Sequence, residues 1–200
     1  MSAASDGLTA DELRRGLKGC RIGDELVVVE ETESTNDLAW QAAERAATAG
    51  FVAFAERQTR GRGQYGRRWE SSPHLSLCFS VLLRPVTMTL RESPQLTSLL
   101  AEAVAAAIAQ ATGAAPRIKP PNDIYVADRK VAGILVEGRT EGDGAYVAVA
   151  GIGINVNQTI DDFPDELRAT AGSLAMATGK RISRSALAIA LLRQLDRFVS

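Results

Sequence analysis

Between Arg57 and Trp69 the chain sets five arginines, three glycines and two aromatics with no acidic residue among them. Arginine offers a planar fork of donors that fits carboxylates and phosphates, and glycine lets a backbone approach an anion closely. The stretch therefore reads as a loop that closes over an anionic ligand. Its plainer counterpart is a solvated loop whose charge is incidental. Gly61-Arg62-Gly63-Gln64-Tyr65-Gly66 has the G-x-G-x-x-G form, but a dinucleotide fingerprint needs a strand directly before the first glycine and a helix behind the last. Here polar residues separate the apolar run Phe51 to Ala55 from Gly61, and the strand-like run Leu75 to Leu83 comes after the loop. The dinucleotide reading fails. A kinase loop fails as well, since neither V-A-I-K nor H-R-D occurs.

Three further stretches carry polar groups at turns. Ser34-Thr35-Asn36-Asp37 precedes a helical run, and one of these side chains is an N-cap. A cap uses a single side chain, whereas three neighbours here carry donors and acceptors. Lys119-Pro120-Pro121-Asn122-Asp123 is a rigid turn whose prolines aim the residues behind them. Asp128-Arg129-Lys130 reads as a hairpin turn before the strand Val131 to Val136, which Gly133 interrupts. The run Tyr146 to Ile154 contains Gly151 and Gly153. Glycine inside a strand often marks close approach of a ligand or backbone, and two such strands suggest a shared slot.

The elements around these groups are set by pattern. Thr9-Ala10-Asp11-Glu12 reads as a capping box for a short helix with Leu13 and Leu17 inward, ending near Gly19. Strands are expected at Glu25–Glu30, with Leu26 to Val29 buried, and at Phe51–Ala55 and Leu75–Leu83. A helix is expected over Leu38–Ala49. Ser93-Pro94 opens a long helix whose inward stripe includes Leu96, Leu99, Leu100, Ala103, Val104, Ala107, Ile108 and Ala111, with Gly113 as its stop. Phe163 to Leu167 is a short helix or turn. Ser183 opens a last helix with Leu187, Leu191, Leu195 and Phe198 inward. The sum is an α/β domain (two-layer α+β) with a mixed sheet of about six or seven strands and helices mainly on one face.

Composition narrows the function classes. Two hundred residues at 46% apolar content fit one domain with a real core. A formal net charge of -1 makes a general nucleic-acid surface improbable. The N-terminal 20 residues form a helical extension too small for a helix-turn-helix, so DNA binding is not expected. Cys20 and Cys78 lack paired metal-ligand spacing and suit reduced thiols in a cytoplasm. The single histidine, His74, is read as a turn residue beside Pro73, and no metal site is expected from protein ligands alone. No signal peptide or membrane-spanning run is visible.

Taken in order, Ser34-Thr35-Asn36, Gln58-Thr59-Arg60-Gly61-Arg62-Gly63, Gly66-Arg67-Arg68-Trp69, Lys119-Pro120-Pro121-Asn122-Asp123, Arg129-Lys130-Val131-Ala132-Gly133-Ile134-Leu135 and Gly151-Ile152-Gly153-Ile154-Asn155-Val156-Asn157 resemble the biotin–protein ligases. The resemblance runs from Leu26 to Phe198. It implies the biotin–lipoate ligase catalytic fold, similar to class II aminoacyl-tRNA synthetases. It further implies a biotin–[acetyl-CoA-carboxylase] ligase that makes biotinyl-5′-AMP from biotin and ATP with Mg2+. A lysine of a biotin carboxyl carrier domain then takes the biotinyl group. Carried over by motif, Lys130, Arg62 and Asp123 are catalytic. Ser34, Thr35, Asn36, Gln58, Gly61, Arg62, Gly63, Gln64, Lys130, Gly133, Ile134 and Gly153 bind biotin. Arg67, Arg68, Trp69, Lys119, Asn122 and Asn155 serve ATP or the adenylate. Trp69 is expected to pack at the adenine, and Gly133 and Gly153 to leave room for the bicyclic ring.

Three departures stand out. Pro120 occupies the place of the family's tryptophan, Gln64 the place of an arginine, and the chain is expected to be the catalytic domain alone, without DNA-binding head or C-terminal β-barrel. The state is monomer or homodimer. A lipoate- or octanoate-type ligase and a non-enzymatic biotin-binding protein are the alternatives.

Overall fold

The computed structural model describes residues 7–85, 88–142 and 144–199. Seven strands form one sheet among them: β1 (Leu26–Thr32), β2 (Val52–Gln58), β3 (Ser76–Leu83), β4 (Arg117–Lys119), β5 (Asp123–Val126), β6 (Arg129–Thr140) and β7 (Tyr146–Asn155). Their order across the sheet is β1-β2-β3-β7-β6-β5-β4. The pair β1/β2 is parallel and every other pair antiparallel. The five helices are α1 (Ala10–Gly16), α2 (Thr35–Glu44), α3 (Ser93–Thr112), α4 (Leu174–Thr178) and α5 (Arg184–Val199). The mixed sheet agrees with the sequence reading.

Period-two alternation divides the sheet into two unlike faces. Leu77, Phe79, Val81 and Leu83 of β3 join Ala148, Ala150, Ile152 and Ile154 of β7 in the large core that α1, α3 and α5 cover. The intervening residues, Cys78, Ser80, Gly151 and Gly153, are small or polar. They lie in register, Cys78 opposite Gly153 and Ser80 opposite Gly151. Only α2 covers that second face, over a smaller cluster built on Ala39, Ala53, Leu82, Val147 and Val149. Beyond that cluster the face is covered by single side chains, Asn36 over Gly151 and Trp69 over Gly153.

Local signals set the element ends. Thr9 Oγ1 accepts the Glu12 amide and starts α1, with Leu13 and Leu17 buried. Ser34 Oγ accepts from the Asn36 amide, so α2 begins three residues before the expected Leu38, and it ends at Glu44 because Arg45 is its cap and Ala46 turns left-handed at φ 62°. Ser183 Oγ takes the Ala186 amide ahead of α5, whose Leu187, Leu191 and Leu195 are buried. The expectation for Phe198 concerns a side chain outside those described, and residues 1–6 of the extension lie outside them too.

Other expectations need correction. Of Leu26 to Val29 only Leu26 is buried, because β1 is an edge strand. Leu99 and Ala111 of α3 face outward, since the stripe in contact with the sheet is narrower than the apolar sequence. Lys130 belongs to β6 and not to a turn: the reversal is made by Ala127 and Asp128, both left-handed at φ 48° and 60°. The short α4 has no counterpart in the sequence reading. Val86, Thr87 and Asp143 are not described.

Candidate functional site

A bulge brings the two principal residues of β6 to one side. The register slips between Ile124 and Tyr125, so that Ile124 faces Ala132 while Tyr125 faces Lys130. Strict alternation would place Lys130 and Gly133 on opposite faces; the extra residue turns both toward the open face and sends Val131 and Ala132 into the core. A methyl on Gly133 would meet Lys130 Nζ at 3.4 Å. Beyond β6 the backbone of Lys130 is tied to a surface segment, its amide donating to Thr170 O (2.8 Å) and its carbonyl accepting from Gly172 (3.0 Å). Arg129 Nη1 holds the same segment through the carbonyls of Arg168 and Ala171.

The arginine loop is a small hairpin. Gly63 donates to Arg67 O (2.7 Å), Trp69 donates to Gly61 O (2.9 Å), and Arg62 pairs with Arg68. Its tip, Gln64–Gly66, turns on left-handed Tyr65 and Gly66. The fold of the hairpin lays the Trp69 indole across the sheet, where a methyl on Gly153 would sit 2.3 Å from Cε2 and one on Gly133 3.3 Å from Cζ3. The space above these glycines is thus filled by Trp69 itself. Cys78 lies under the indole, and burial pushes its thiol up to about 12, opposed by the Trp69 N–H beside it. Such a thiol is no nucleophile at neutral pH.

At the N-terminus of α2, Ser34, Thr35 and Asn36 are each 3% exposed. Thr35 N–H donates to Gln58 Oε1 at 2.8 Å. Ser80 Oγ contacts Asn36 Oδ1 at 2.6 Å and Thr35 Oγ1 at 2.7 Å. Ser80 Oγ is the donor toward both Asn36 Oδ1 and Thr35 Oγ1, and the Thr35 hydroxyl passes its own proton on to Gln58 Oε1 at 3.1 Å. Among the described residues Asn36 Nδ2 is buried without a partner. A buried donor without a partner costs about 1–3 kcal/mol, which a ligand carbonyl removes.

These groups border one cavity of about 520 Å³. It gathers Ser34, Thr35, Asn36, Gln58, Arg62, Gly63, Gln64, Arg67, Arg68, Trp69, Lys119, Asn122, Asp123, Lys130, Gly133, Ile134, Gly153 and Asn155 from the sequence reading. Gly61 does not line it; a methyl there would strike Trp69 O at 2.4 Å, so its role is to close the hairpin. Ile134 reaches the cavity only along the sheet, since its side chain is in the core. Asn122 clamps the Pro-Pro turn to β6, Nδ2 donating to Ile134 O while its own carbonyl accepts the Ile134 amide. Asn155 Oδ1 accepts from Gln158 Nε2 at 3.2 Å.

Charge is spread unevenly around the mouth. Arg62 is held by Asp37 and Glu137, Arg60 by Glu33 and Arg68 by Glu70. Among the described residues Arg67 has no carboxylate partner, and Lys119 rests over the Tyr125 ring at 5.7 Å. Lys130 Nζ lies 2.6 Å from Asp123 Oδ1 in close ion contact. The sequence reading missed Ser80, Glu137 and Tyr125, and it marked Gly151 as part of a slot without giving it a ligand. For Ser80 a signal exists: in β3 the residues Ser76, Cys78 and Ser80 alternate with Leu77, Phe79 and Val81, the mark of a strand whose two faces meet unlike surroundings.

Residues 28–157 match the model of the Biotin/lipoate A/B protein ligase family, well over half of the chain. The chain belongs to this family. Among its relatives, the bifunctional ligase/repressor BirA of Bacillus subtilis is 41% identical over 178 residues, covering 89% of this chain and 54% of the relative. The biotin–[acetyl-CoA-carboxylase] ligase of Mycobacterium tuberculosis is 34% identical, covering 86% of this chain and 63% of the relative. The chain thus spans about half to two-thirds of the length of these proteins. In structure it is similar to the biotin protein ligase from Aquifex aeolicus in complex with biotin and ATP, with TM-score 0.74 and 32% identity over 88% of this chain and 70% of that one. It is also similar to the Leishmania major biotin protein ligase in complex with biotinyl-5-AMP, with TM-score 0.67 and 25% identity over 86% of this chain and 73% of that one.

Proposed function

We propose that the chain activates biotin with ATP and passes the biotinyl group to a lysine of a biotin carboxyl carrier domain. The observation that carries this reading is the unpartnered Asn36 Nδ2, 3% exposed and set between Gln58 and the glycine floor. A ureido ring has a carbonyl to accept such a donor and N–H groups that need acceptors, which the hydroxyls of Ser34 and Thr35 supply. The Aquifex and Leishmania relatives, with biotin, ATP or biotinyl-5-AMP bound, support it.

In the first step a biotin carboxylate oxygen forms a bond to the α-phosphorus of ATP and the bond to pyrophosphate breaks. Negative charge must be held at both carboxylate and phosphate, and Lys130 is the cation on the cavity wall that can bridge them. Arg67 and Lys119, without carboxylate partners among the described residues, meet the remaining phosphates. Gln64 at the hairpin tip brings a neutral amide where relatives of this pattern bring charge. In the second step the acceptor lysine nitrogen bonds to the acyl carbon and AMP leaves. Asp123 orients that amine while Lys130 stays beside it. Among the described residues no group of three or more His, Cys, Asp or Glu side chains could hold a metal, so magnesium belongs to the ATP phosphates in this reading. Among the described residues no helix is long and apolar enough to cross a membrane, and we read the enzyme as cytoplasmic.

The test is ATP–pyrophosphate exchange. Biotin is expected to drive it; exchange driven by lipoate alone would give the chain to the other branch of its family. Tight biotin binding with no exchange would make it a non-enzymatic biotin binder.

A further inference from the structure

The Arg62 guanidinium has five N–H donors, and four hydrogen bonds take up most of them. Nε and Nη2 reach the two oxygens of Glu137 at 3.0 and 3.3 Å, and Nη1 and Nη2 reach those of Asp37 at 3.0 and 2.8 Å. Both carboxylates are engaged side by side, in the forked geometry that only arginine satisfies. Asp37 stands in the first turn of α2 and Glu137 near the far end of β6, so one side chain of the hairpin is tied to two separate elements. Glu137 is itself anchored: its Oε2 accepts from Trp40 Nε1 at 3.0 Å, and Arg139 lies over the Trp40 ring at 4.3 Å. Two carboxylates against the one guanidinium leave this cluster with a net charge of about -1. An approaching phosphate meets no excess cation there, in contrast to Arg67.

We infer that Asp37 and Glu137 convert Arg62 into a fastener, a positioning residue that shuts the arginine hairpin onto α2 and β6 and so seats Trp69 over Gly153. The charge offered to the reactants comes from Arg67, Lys119 and Lys130. The sequence reading makes Arg62 catalytic; in this arrangement its pairing stabilises the closed loop whether or not a ligand is present. The pairs are about two-fifths exposed, so each contributes modestly and the clamp depends on having both.

The ligase reading enters only one of the two measurements. The first is limited trypsin cleavage of the full chain, without ligand, at the hairpin arginines of wild type, Asp37→Asn, Glu137→Gln and the double variant. Cleavage by this route tracks local opening, and the double variant is expected to be nicked about five- to tenfold faster, the single variants less. The second is exchange kinetics, in which KM for biotin rises in the double variant by a similar factor while kcat stays within about twofold. Far-UV circular dichroism checks the fold. Should Glu137→Gln loosen α2 through Trp40, Asp37→Asn alone carries the test. An unchanged nicking rate in the double variant overturns the proposal. So does intact protection with a fall in kcat of about a hundredfold, which would place the carboxylates in the chemistry itself. Failure of exchange in the wild type would remove the ligase reading and leave the nicking result standing.

Discussion

Lys130 and Asp123 form a diagonal pair across β5 and β6. Tyr125 faces Lys130 directly, and Asp123, two residues along on the same face, comes within 2.6 Å of its ammonium. The Asp123 side chain is 16% exposed and that of Lys130 29%, so neither is a freely solvated surface residue. The pair holds the lysine on the cavity wall.

Lys130→Ala is expected to lower kcat for biotin-dependent exchange by a factor corresponding to about 2.7–4 kcal/mol, as for loss of one donor to a developing oxyanion. Lys130→Arg should recover only part of it, because a planar fork does not replace a point charge on a flexible stem. Exchange within twofold of wild type in Lys130→Ala would remove the residue from the reaction.

Gly153→Ala should displace the indole. Its methyl would lie 2.3 Å from Trp69 Cε2 and 2.6 Å from Nε1, which no rotamer of alanine relieves. Overpacking of this kind costs about 1–3 kcal/mol. Since the protein has only two tryptophans, Trp40→Phe isolates the emission of Trp69, and the glycine substitution made in that background is expected to shift the emission to the red. Unshifted emission with an unchanged melting temperature would show that the indole does not rest on Gly153.

Ser80→Ala removes the donor that orients Asn36. The amide oxygen then lies buried and unpaired, at a cost of about 1–3 kcal/mol, and the amide loses its fixed direction. We expect lower thermal stability together with weaker biotin binding, and unchanged values of both would remove Ser80 from this role. Calorimetric titration of biotin distinguishes these cases.

Glu56 and Arg184 make a deeply buried ion pair, 3% and 0% exposed, with Oε1 also accepting the Leu8 amide. Burial alone would raise the Glu56 carboxyl; the Arg184 pairing and the Leu8 amide outweigh it and hold the group below its ordinary value. A carboxyl depressed on folding contributes stability above its unfolded value, which is lost as pH falls through the depressed one, from about pH 4 downward. Glu56→Gln should flatten this acid limb in urea midpoints measured across pH. Arg184→Met, which leaves the buried carboxylate without its guanidinium partner, should cost about 3–5 kcal/mol at neutral pH. A Glu56→Gln midpoint that falls with acid as steeply as wild type would contradict the assignment.

Much of this site is legible in the sequence. Ser34 to Asn36, the arginine–glycine run, the Pro-Pro turn and the strand glycines are punctuation residues whose preferences act locally, and the fold brings them to one cavity. The parts that escape reading depend on register. Ser80 and Glu137 look like ordinary strand residues until pairing sets one opposite Gly151 and turns the other toward Arg62. Lys130 reads as a turn residue because Asp128 suggests a turn, and a bulge one strand away decides which side the lysine takes. The Glu56–Arg184 pair joins residues 128 positions apart, a separation at which no local preference acts.

The cavity floor has no room left to give. Gly133, Gly151 and Gly153 already carry the smallest side chain, and directly on the last two lie Asn36 and Trp69. Any enlargement of the pocket above these glycines therefore has to be made in the ceiling. Trimming Trp69 opens volume at once, while no substitution of these three glycines can. The strands are a fixed baseplate, and the tunable part of the pocket hangs from the hairpin and the first turn of one short helix.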